Sequence, residues 1–117
     1  MHWTILIKSH PEAPGNPVLN ALRLAAAALA DGIRVSLFLS EAAIELAWAE
    51  GGDTNERRRV QRDLLAEILD LGAEIHTCGL SLTEESKPVR PLMPGIRAST
   101  MKTLVRLMQE ADQVITL

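Results

Sequence analysis

Apolar positions along the chain fall into short runs separated by longer stretches with helical spacing. The runs at 3–8, 33–40 and 73–77 (WTILIK, IRVSLFLS and AEIHT) are short and largely apolar, as expected for strands that helices cover on both faces. A run at 112–117 (DQVITL) predicts a final strand, and residues 89–93 predict a short strand inside a proline-containing loop.

The stretches between these runs predict helices. The first covers 16–32, with Asn16 as the N-cap, Pro17 at the first helical position and Gly32 at the C-terminal cap. A short helix is predicted over 41–50, a longer one over 58–71, and a last one over 98–111, capped by Ser99 or Thr100. The expected buried stripes are Leu19, Leu22, Ala26 and Leu29 in the first helix, and Val60, Leu64, Leu65, Ile68 and Leu71 in the third.

The order of these elements predicts an α/β fold. Connections between consecutive strands are too long for hairpins and contain helices, which indicates a parallel sheet sandwiched between helical layers. A chain of 117 residues is in the range of a single core, so we expect one domain over 1–117.

Composition and charge argue against several classes of function. A net charge of −3 leaves no overall positive field for nucleic acid, and the arginine run within 57–62 is expected to be a solvated helix start. One cysteine excludes an intrachain disulfide. The sequence shows neither a secretory leader nor an apolar run long enough for a membrane span, so we expect a cytoplasmic protein that does not enter membranes.

The carboxyl ends of the predicted strands mark the expected site, because open parallel α/β sheets bind ligands there. Ser9 and His10 follow the first strand, Ser40 and Glu41 the second, and Cys78 and Gly79 the third. The fold is thus expected to carry Cys78 and His10 to one edge of the molecule. Further possible helpers of a reactive thiolate are His76, Lys87, Arg90 and Arg97, whereas Glu84 and Glu85 would oppose it.

A structural interpretation stands beside this one. Free cysteines at strand ends are often buried and inert, and His76 alternates with Ile75, so its ring points either to solvent or into the core with a satisfied partner. No phosphate-binding loop, dinucleotide fingerprint or metal-ligand spacing is present in the sequence, so neither a cofactor nor a metal is expected.

Three segments together resemble a known family. They are LRLAAAALADGIRVSLFLSEAAIELA, LGAEIHTCGLS and PGIRASTMKTLVRLMQEADQVITL, and in order and spacing they are similar to the DsrE/DsrF-like sulfur-relay proteins over nearly the whole chain. The resemblance implies a three-layer α/β/α sandwich with a five-stranded parallel sheet, and an oligomer built on trimers or hexamers. It also implies that Cys78 accepts sulfane sulfur as a persulfide and passes it to a partner, with the donor and acceptor proteins unspecified.

The leading hypothesis is therefore a sulfur carrier or sulfurtransferase acting through Cys78, with His10 and His76 as helpers. One alternative is a non-catalytic, oligomeric interaction subunit of the same fold with a structural Cys78. Another is a small-ligand-binding domain that uses the carboxyl edge of the sheet, and the weakest is an RNA-binding module that uses the arginines of 57–62.

Overall fold

The computed structural model describes residues 1–49, 55–79 and 91–117. Its strands are β1 (His2–Ile7), β2 (Arg34–Leu39), β3 (Glu74–Cys78), β4 (Ile96–Ser99) and β5 (Gln113–Thr116). Its helices are α1 (Pro17–Ala30), α2 (Glu56–Asp70) and α3 (Met101–Glu110), with a 3₁₀ helix at Glu41–Ala47.

The five strands form one sheet in the order β4-β3-β2-β1-β5, and every neighbouring pair is parallel. The predicted α/β architecture with a five-stranded parallel sheet is therefore confirmed. Because all strands run in the same direction, their carboxyl ends share one edge of the sheet. β2 lies between β1 and β3, so the first and third strands are not neighbours.

The larger part of the core lies between one face of the sheet and helices α1 and α2. This face presents the fully buried side chains Ile5, Ile7, Val35, Leu37, Leu39 and Ile75. α1 meets it with Val18, Ala21, Leu22, Ala25 and Ala28, so the predicted stripe is only partly right. Leu22 is buried, but Leu19, Ala26 and Leu29 are half-buried, because small alanine side chains occupy the line of closest approach to the sheet.

α3 covers the opposite face with a smaller apolar cluster. Phe38, Ile44, Cys78, Leu104 and Leu107 form this cluster. Towards the amino ends of the strands the same face is polar, with His2, Thr4, Ser36 and His76 buried. Thr4 Oγ1 donates a hydrogen bond to the Leu107 carbonyl at 2.9 Å, which ties α3 to the sheet. One face of the sheet is thus an apolar core, and the other carries buried polar groups.

The fourth strand corrects the sequence interpretation. Of the short strand predicted over 89–93, residues 89 and 90 lie outside the described residues, and Leu92 makes only an isolated antiparallel bridge to Trp48. β4 is formed by Ile96–Ser99 instead, so Ser99 belongs to the sheet, and the last helix begins at Met101 with Thr100 as its N-cap. A four-residue edge strand beside a helix start has too little periodicity to be recognised.

α2 also differs from its predicted stripe. Val60 and Leu71 are exposed, whereas Arg58 and Gln61 are buried. The Asn55 side chain caps the helix by accepting a hydrogen bond from the Arg58 backbone N–H, so the helix starts earlier than expected.

The arginine run at the start of α2 was expected to be a solvated helix start, which holds for the exposed Arg59 but not for the buried Arg58. Arg58 lies 3.9 Å from Glu12 and 3.8 Å from Glu45, and Arg57 donates to the Glu12 and Ala13 carbonyls. These contacts hold the start of α2 against the loop that follows β1 and against the 3₁₀ helix.

Candidate functional site at the carboxyl edge of the sheet

Cys78 is the last residue of β3, at the carboxyl edge of the sheet where the sequence placed it. Its thiol is free but only 3% exposed, packed in the apolar cluster with Phe38, Ile44, Leu104 and Leu107. The position is that of a ligand site in a parallel α/β sheet, whereas the burial is that of a core cysteine.

His10 is exposed in the loop after β1, where its Nδ1 accepts a hydrogen bond from the Glu12 backbone N–H at 3.0 Å. Because β2 separates β1 from β3, their carboxyl ends are about 10 Å apart across the sheet. Within the described ranges the two side chains form no hydrogen bond. A role for His10 beside the thiol stays a prediction.

His76 lies on the same face of β3 as Cys78, since side chains alternate along a strand. His76 is 3% exposed, and both of its ring nitrogens have hydrogen-bond partners. Nε2 lies 3.0 Å from Oε1 of Glu74, and Nδ1 lies 2.5 Å from Oγ of Ser99 on β4. His76 is therefore a buried histidine with satisfied partners, two residues before the cysteine.

Glu74 connects several charged and polar groups. Its carboxylate lies 3.7 Å from both Arg34 and Arg106 and accepts a hydrogen bond from Ser36 at 3.4 Å. Burial alone would raise the pKa of this carboxyl group. The hydrogen bond and charge of His76, together with the charges of Arg106 and Arg34, outweigh burial and lower the pKa below its ordinary value of 4.5.

The network continues to the start of the chain. His2 Nε2 lies 2.7 Å from Ser36 Oγ, which in turn bonds Glu74. A line of hydrogen bonds thus runs across the sheet through His2, Ser36, Glu74, His76 and Ser99, from β1 to β4.

Gly79 lies against β4. A Cβ atom built at this position would lie 3.1 Å from the Ser99 carbonyl oxygen, tighter than most real contacts. A larger residue at this position would therefore need the end of β3 or the Ser99 carbonyl to shift by a few tenths of an ångström.

The other residues predicted near the thiol lie as follows. Arg97 is exposed on β4, in register with His76. Lys87, Arg90, Glu84 and Glu85 lie outside the described residues. Ser40 is buried at the end of β2, and Glu41 begins the 3₁₀ helix with a positive φ of 54°.

Glu74 and Ser99 were missed by the sequence analysis. Glu74 could have been found, because the alternation in EIHTC places positions 74, 76 and 78 on one face. Ser99 could not, because it was assigned to the start of the last helix and not to a strand.

Three further observations bear on the alternatives. A pocket of about 350 Å³ opens at the amino edge of the sheet, where Arg34, Glu74 and Arg97 line it, on the side away from Cys78. In residues 1–49, 55–79 and 91–117 no three His, Cys, Asp or Glu side chains are grouped as metal ligands. Over the same ranges, no helix has the length and hydropathy to span a membrane.

Solved structures resemble this fold closely. The YchN protein of Escherichia coli superposes with a TM-score of 0.78 at 19% identity, covering 100% of both chains. MTH1491 of Methanobacterium thermoautotrophicum, a protein of unknown function, superposes with a TM-score of 0.75 at 16% identity, covering 99% of this chain and 98% of its own. At such identities the likeness shows the fold alone.

Relatives in sequence include two uncharacterized archaeal proteins. MJ0989 of Methanocaldococcus jannaschii is 29% identical over 116 residues, 99% of each chain. MK0008 of Methanopyrus kandleri is 30% identical over 95 residues, covering 81% of this chain and 77% of its own. The DsrE/DsrF-like family matches residues 1–117. The chain therefore belongs to the DsrE/DsrF-like family.

Proposed function

We propose that this protein carries sulfane sulfur as a persulfide on Cys78 and passes it to a partner protein. The observation that carries the proposal is the position of the sole cysteine at the carboxyl end of β3, on the face that bears the hydrogen-bonded His76. Membership of the DsrE/DsrF-like family supports it. The reaction needs a reduced thiol, which favours a cytoplasmic location.

The chemistry is a thiol exchange without net oxidation. The Cys78 thiolate attacks the outer sulfur of a donor persulfide, the S–S bond of the donor breaks, and the donor thiolate leaves. Cys78 then holds the transferred sulfur as a persulfide, which an acceptor thiolate attacks in the same way. One cysteine is sufficient for this carrier cycle, whereas an internal disulfide cycle would need a second.

The burial of Cys78 limits how a sulfur donor can reach the thiol. With Cys78 only 3% exposed, a donor sulfur reaches the thiol only when the surface over the carboxyl edge opens. We therefore propose that this surface opens when a sulfur donor engages it, whether the donor is a small persulfide, a polysulfide or a protein, and we expect slow reaction with reagents in the absence of a donor.

The same burial favours a second candidate function. In that alternative Cys78 is a small apolar side chain of the cluster around Phe38 and Leu107, and the protein acts as a non-catalytic interaction subunit. The thiol would then stay unreactive in every native state.

We also propose that the protein forms homo-oligomers, a trimer or a hexamer. Met101 and Val105 lie one turn apart on α3 and are 49% and 53% exposed, and Val114 on the edge strand β5 is 46% exposed. Residues four apart share a helix face, so α3 presents apolar surface that association would cover.

Alkylation with iodoacetamide separates the carrier from the interaction subunit, because labelling can occur at one cysteine only. The native protein, the native protein with a small persulfide donor, and the urea-unfolded protein are compared by mass. The carrier predicts that the donor converts Cys78 to a persulfide under native conditions, so that the label adds to the outer sulfur, the adduct carries one extra sulfur of about 32 Da, and reductant removes both. A thiol that reacts only in urea, with or without the donor, supports the interaction subunit and contradicts the carrier.

A further inference from the structure

We propose that Ser99 is the hydroxyl through which the Cys78 thiol loses its proton, with His76 as the base and Glu74 as the group that orients the imidazole. The inference rests on the proposed function, because it concerns how the buried thiol becomes a nucleophile. It adds a proton path across two strands and assigns roles to two residues, Ser99 and Glu74.

The sheet register places the hydroxyl next to the sulfur. Cys78 and Ser99 are partners in the parallel pairing of β3 and β4. Adjacent strands lie about 4.8 Å apart, and paired residues project to the same face, so the two side chains are neighbours. The close approach of Gly79 to the Ser99 carbonyl holds the end of β3 against β4.

The hydrogen bonds that join Glu74, His76 and Ser99 have a defined direction. Glu74 is ionised near neutral pH and can only accept, so Nε2 of His76 donates to Oε1 across 3.0 Å, and the tautomer that can act as a base carries no proton on Nδ1. Nδ1 is then the acceptor, and the Ser99 hydroxyl donates to it across 2.5 Å. The lone pairs of Ser99 Oγ remain for a second donor, and Cys78 is its register partner on the same face of the sheet. The relay requires the thiol to turn from the apolar cluster toward this oxygen.

The elements packed around this thiol carry few titratable groups. They are Glu74 and His76 on β3, Arg97 on β4, Glu41 and Glu45 on the 3₁₀ helix, and Lys102, Arg106 and Glu110 on α3; on β2 only Arg34 at its far end is charged. Arg106 lies 3.7 Å from Glu74, and Glu45 lies 3.8 Å from Arg58. Among these described groups, His76 is the base that forms a hydrogen bond with Ser99, and Ser99 is the register partner of Cys78.

The proton transfer balances within the site. The thiol proton moves to Ser99 Oγ as the serine proton moves to Nδ1 of His76, which leaves a thiolate and an imidazolium that Glu74 stabilises. After the thiolate has taken the sulfane sulfur, the imidazolium returns the proton to the departing donor thiolate. Neither an oxidant nor a reductant is needed.

The test follows thiolate absorbance in the ultraviolet against pH, which does not require reagent access. Wild type is compared with Ser99→Ala, Ser99→Thr and His76→Gln, with Cys78→Ser as the blank. We expect Ser99→Ala and His76→Gln to move the thiolate midpoint upward by about one to two pH units, the effect of losing one hydrogen bond to a charged group. Ser99→Thr, which keeps the hydroxyl, should restore the wild-type midpoint.

Thr77→Val is the matched control, because it removes a buried hydroxyl from the opposite face of β3 and should leave the midpoint unchanged. Coincident curves for wild type and Ser99→Ala overturn the relay even if the protein takes up sulfur. Shifted curves in a protein that takes up no sulfur support the relay and contradict the carrier. If Ser99→Ala does not fold, the NMR titration of the His76 ring decides: it must change in Cys78→Ser, and an unchanged curve overturns the relay.

Discussion

The carboxylate of Glu74 and the imidazole of His76 are joined by a 3.0 Å contact on the face of β3 that also bears Cys78. The carboxylate lies between that ring and two arginines, Arg34 and Arg106, each 3.7 Å away. Glu74, at the amino edge of the sheet, thus connects these two arginines to the histidine that lies two residues before the candidate nucleophile.

Replacing Glu74 by Gln should destabilise the protein at neutral pH. We expect the free energy of unfolding to fall by about 1–2 kcal/mol, since hydrogen bonds to a charged group are lost. Glu110→Gln is the control, because Glu110 forms an exposed pair with Arg106 on α3 and should change stability by less than about 0.5 kcal/mol. Urea unfolding of the three proteins measures the difference, and equal losses would contradict a special role for Glu74.

The pH dependence of the Glu74 effect follows from its lowered pKa. A carboxyl group whose pKa is lower in the folded state stabilises the fold above its unfolded value, and this stabilisation is lost as the pH falls through the folded value. With an ordinary pKa of 4.5, the gap between wild type and Glu74→Gln should be full near neutral pH and shrink below about pH 4.5. Urea midpoints at about pH 7 and about pH 3 test this, and a gap that grows in acid would contradict it.

Gly79→Ala tests the close approach of the chain to β4. The added Cβ would lie 3.1 Å from the Ser99 backbone carbonyl, so either the end of β3 or β4 must shift. We expect a loss of about 1–2 kcal/mol in unfolding free energy, within the range for overpacked sites. A variant as stable as wild type would show that the two strand ends are not held together as described.

Arg58→Met tests whether the arginines at the start of α2 fasten the helix or form a binding stripe. Arg58 is 7% exposed and lies near two carboxylates, so removing its charge should cost about 1–3 kcal/mol. The exposed neighbour is the matched control: Arg59→Met should stay within about 0.5 kcal/mol of wild type. If both variants are neutral in thermal unfolding, the structural role of Arg58 is wrong.

Val105→Glu tests the proposed association surface on α3. A carboxylate in the middle of an apolar interface would be buried without a partner, so we expect the oligomer to dissociate into monomers. Val60→Glu places the same change at a 44% exposed valine on α2 and should leave the oligomer intact. Sedimentation velocity measures both, and a wild-type monomer or an unaffected Val105→Glu oligomer would contradict the surface.

Particular residues show how much of the fold could be read from the sequence. β1 and β2 were predictable because Ile5, Ile7 and Leu37 belong to continuous apolar runs bounded by clear turn or helix signals. β4 was not, because four residues between Gly95 and the N-cap Thr100 carry no distinguishable period. The buried face of α1 was displaced by about one residue, because Leu19, Ala26 and Leu29 were placed on the line that Val18, Ala25 and Ala28 occupy.

The candidate site, too, was predictable from the sequence only in part. The place of Cys78 at the edge of the sheet follows from strand order alone. The contact between His76 and Ser99 joins positions 23 apart and depends on the β3–β4 register, which no local pattern contains. Burial of the thiol likewise depends on α3 packing over Phe38, a tertiary contact.

The most direct test of the account is the intact mass of the native protein after exposure to polysulfide, compared with Cys78→Ser. The account predicts that wild type gains one or more sulfur atoms, about 32 Da each, that reductant removes them, and that the variant gains none. A native wild-type protein that gains no mass, while its thiol reacts after unfolding, would contradict the carrier and leave Cys78 as a core residue of an interaction subunit.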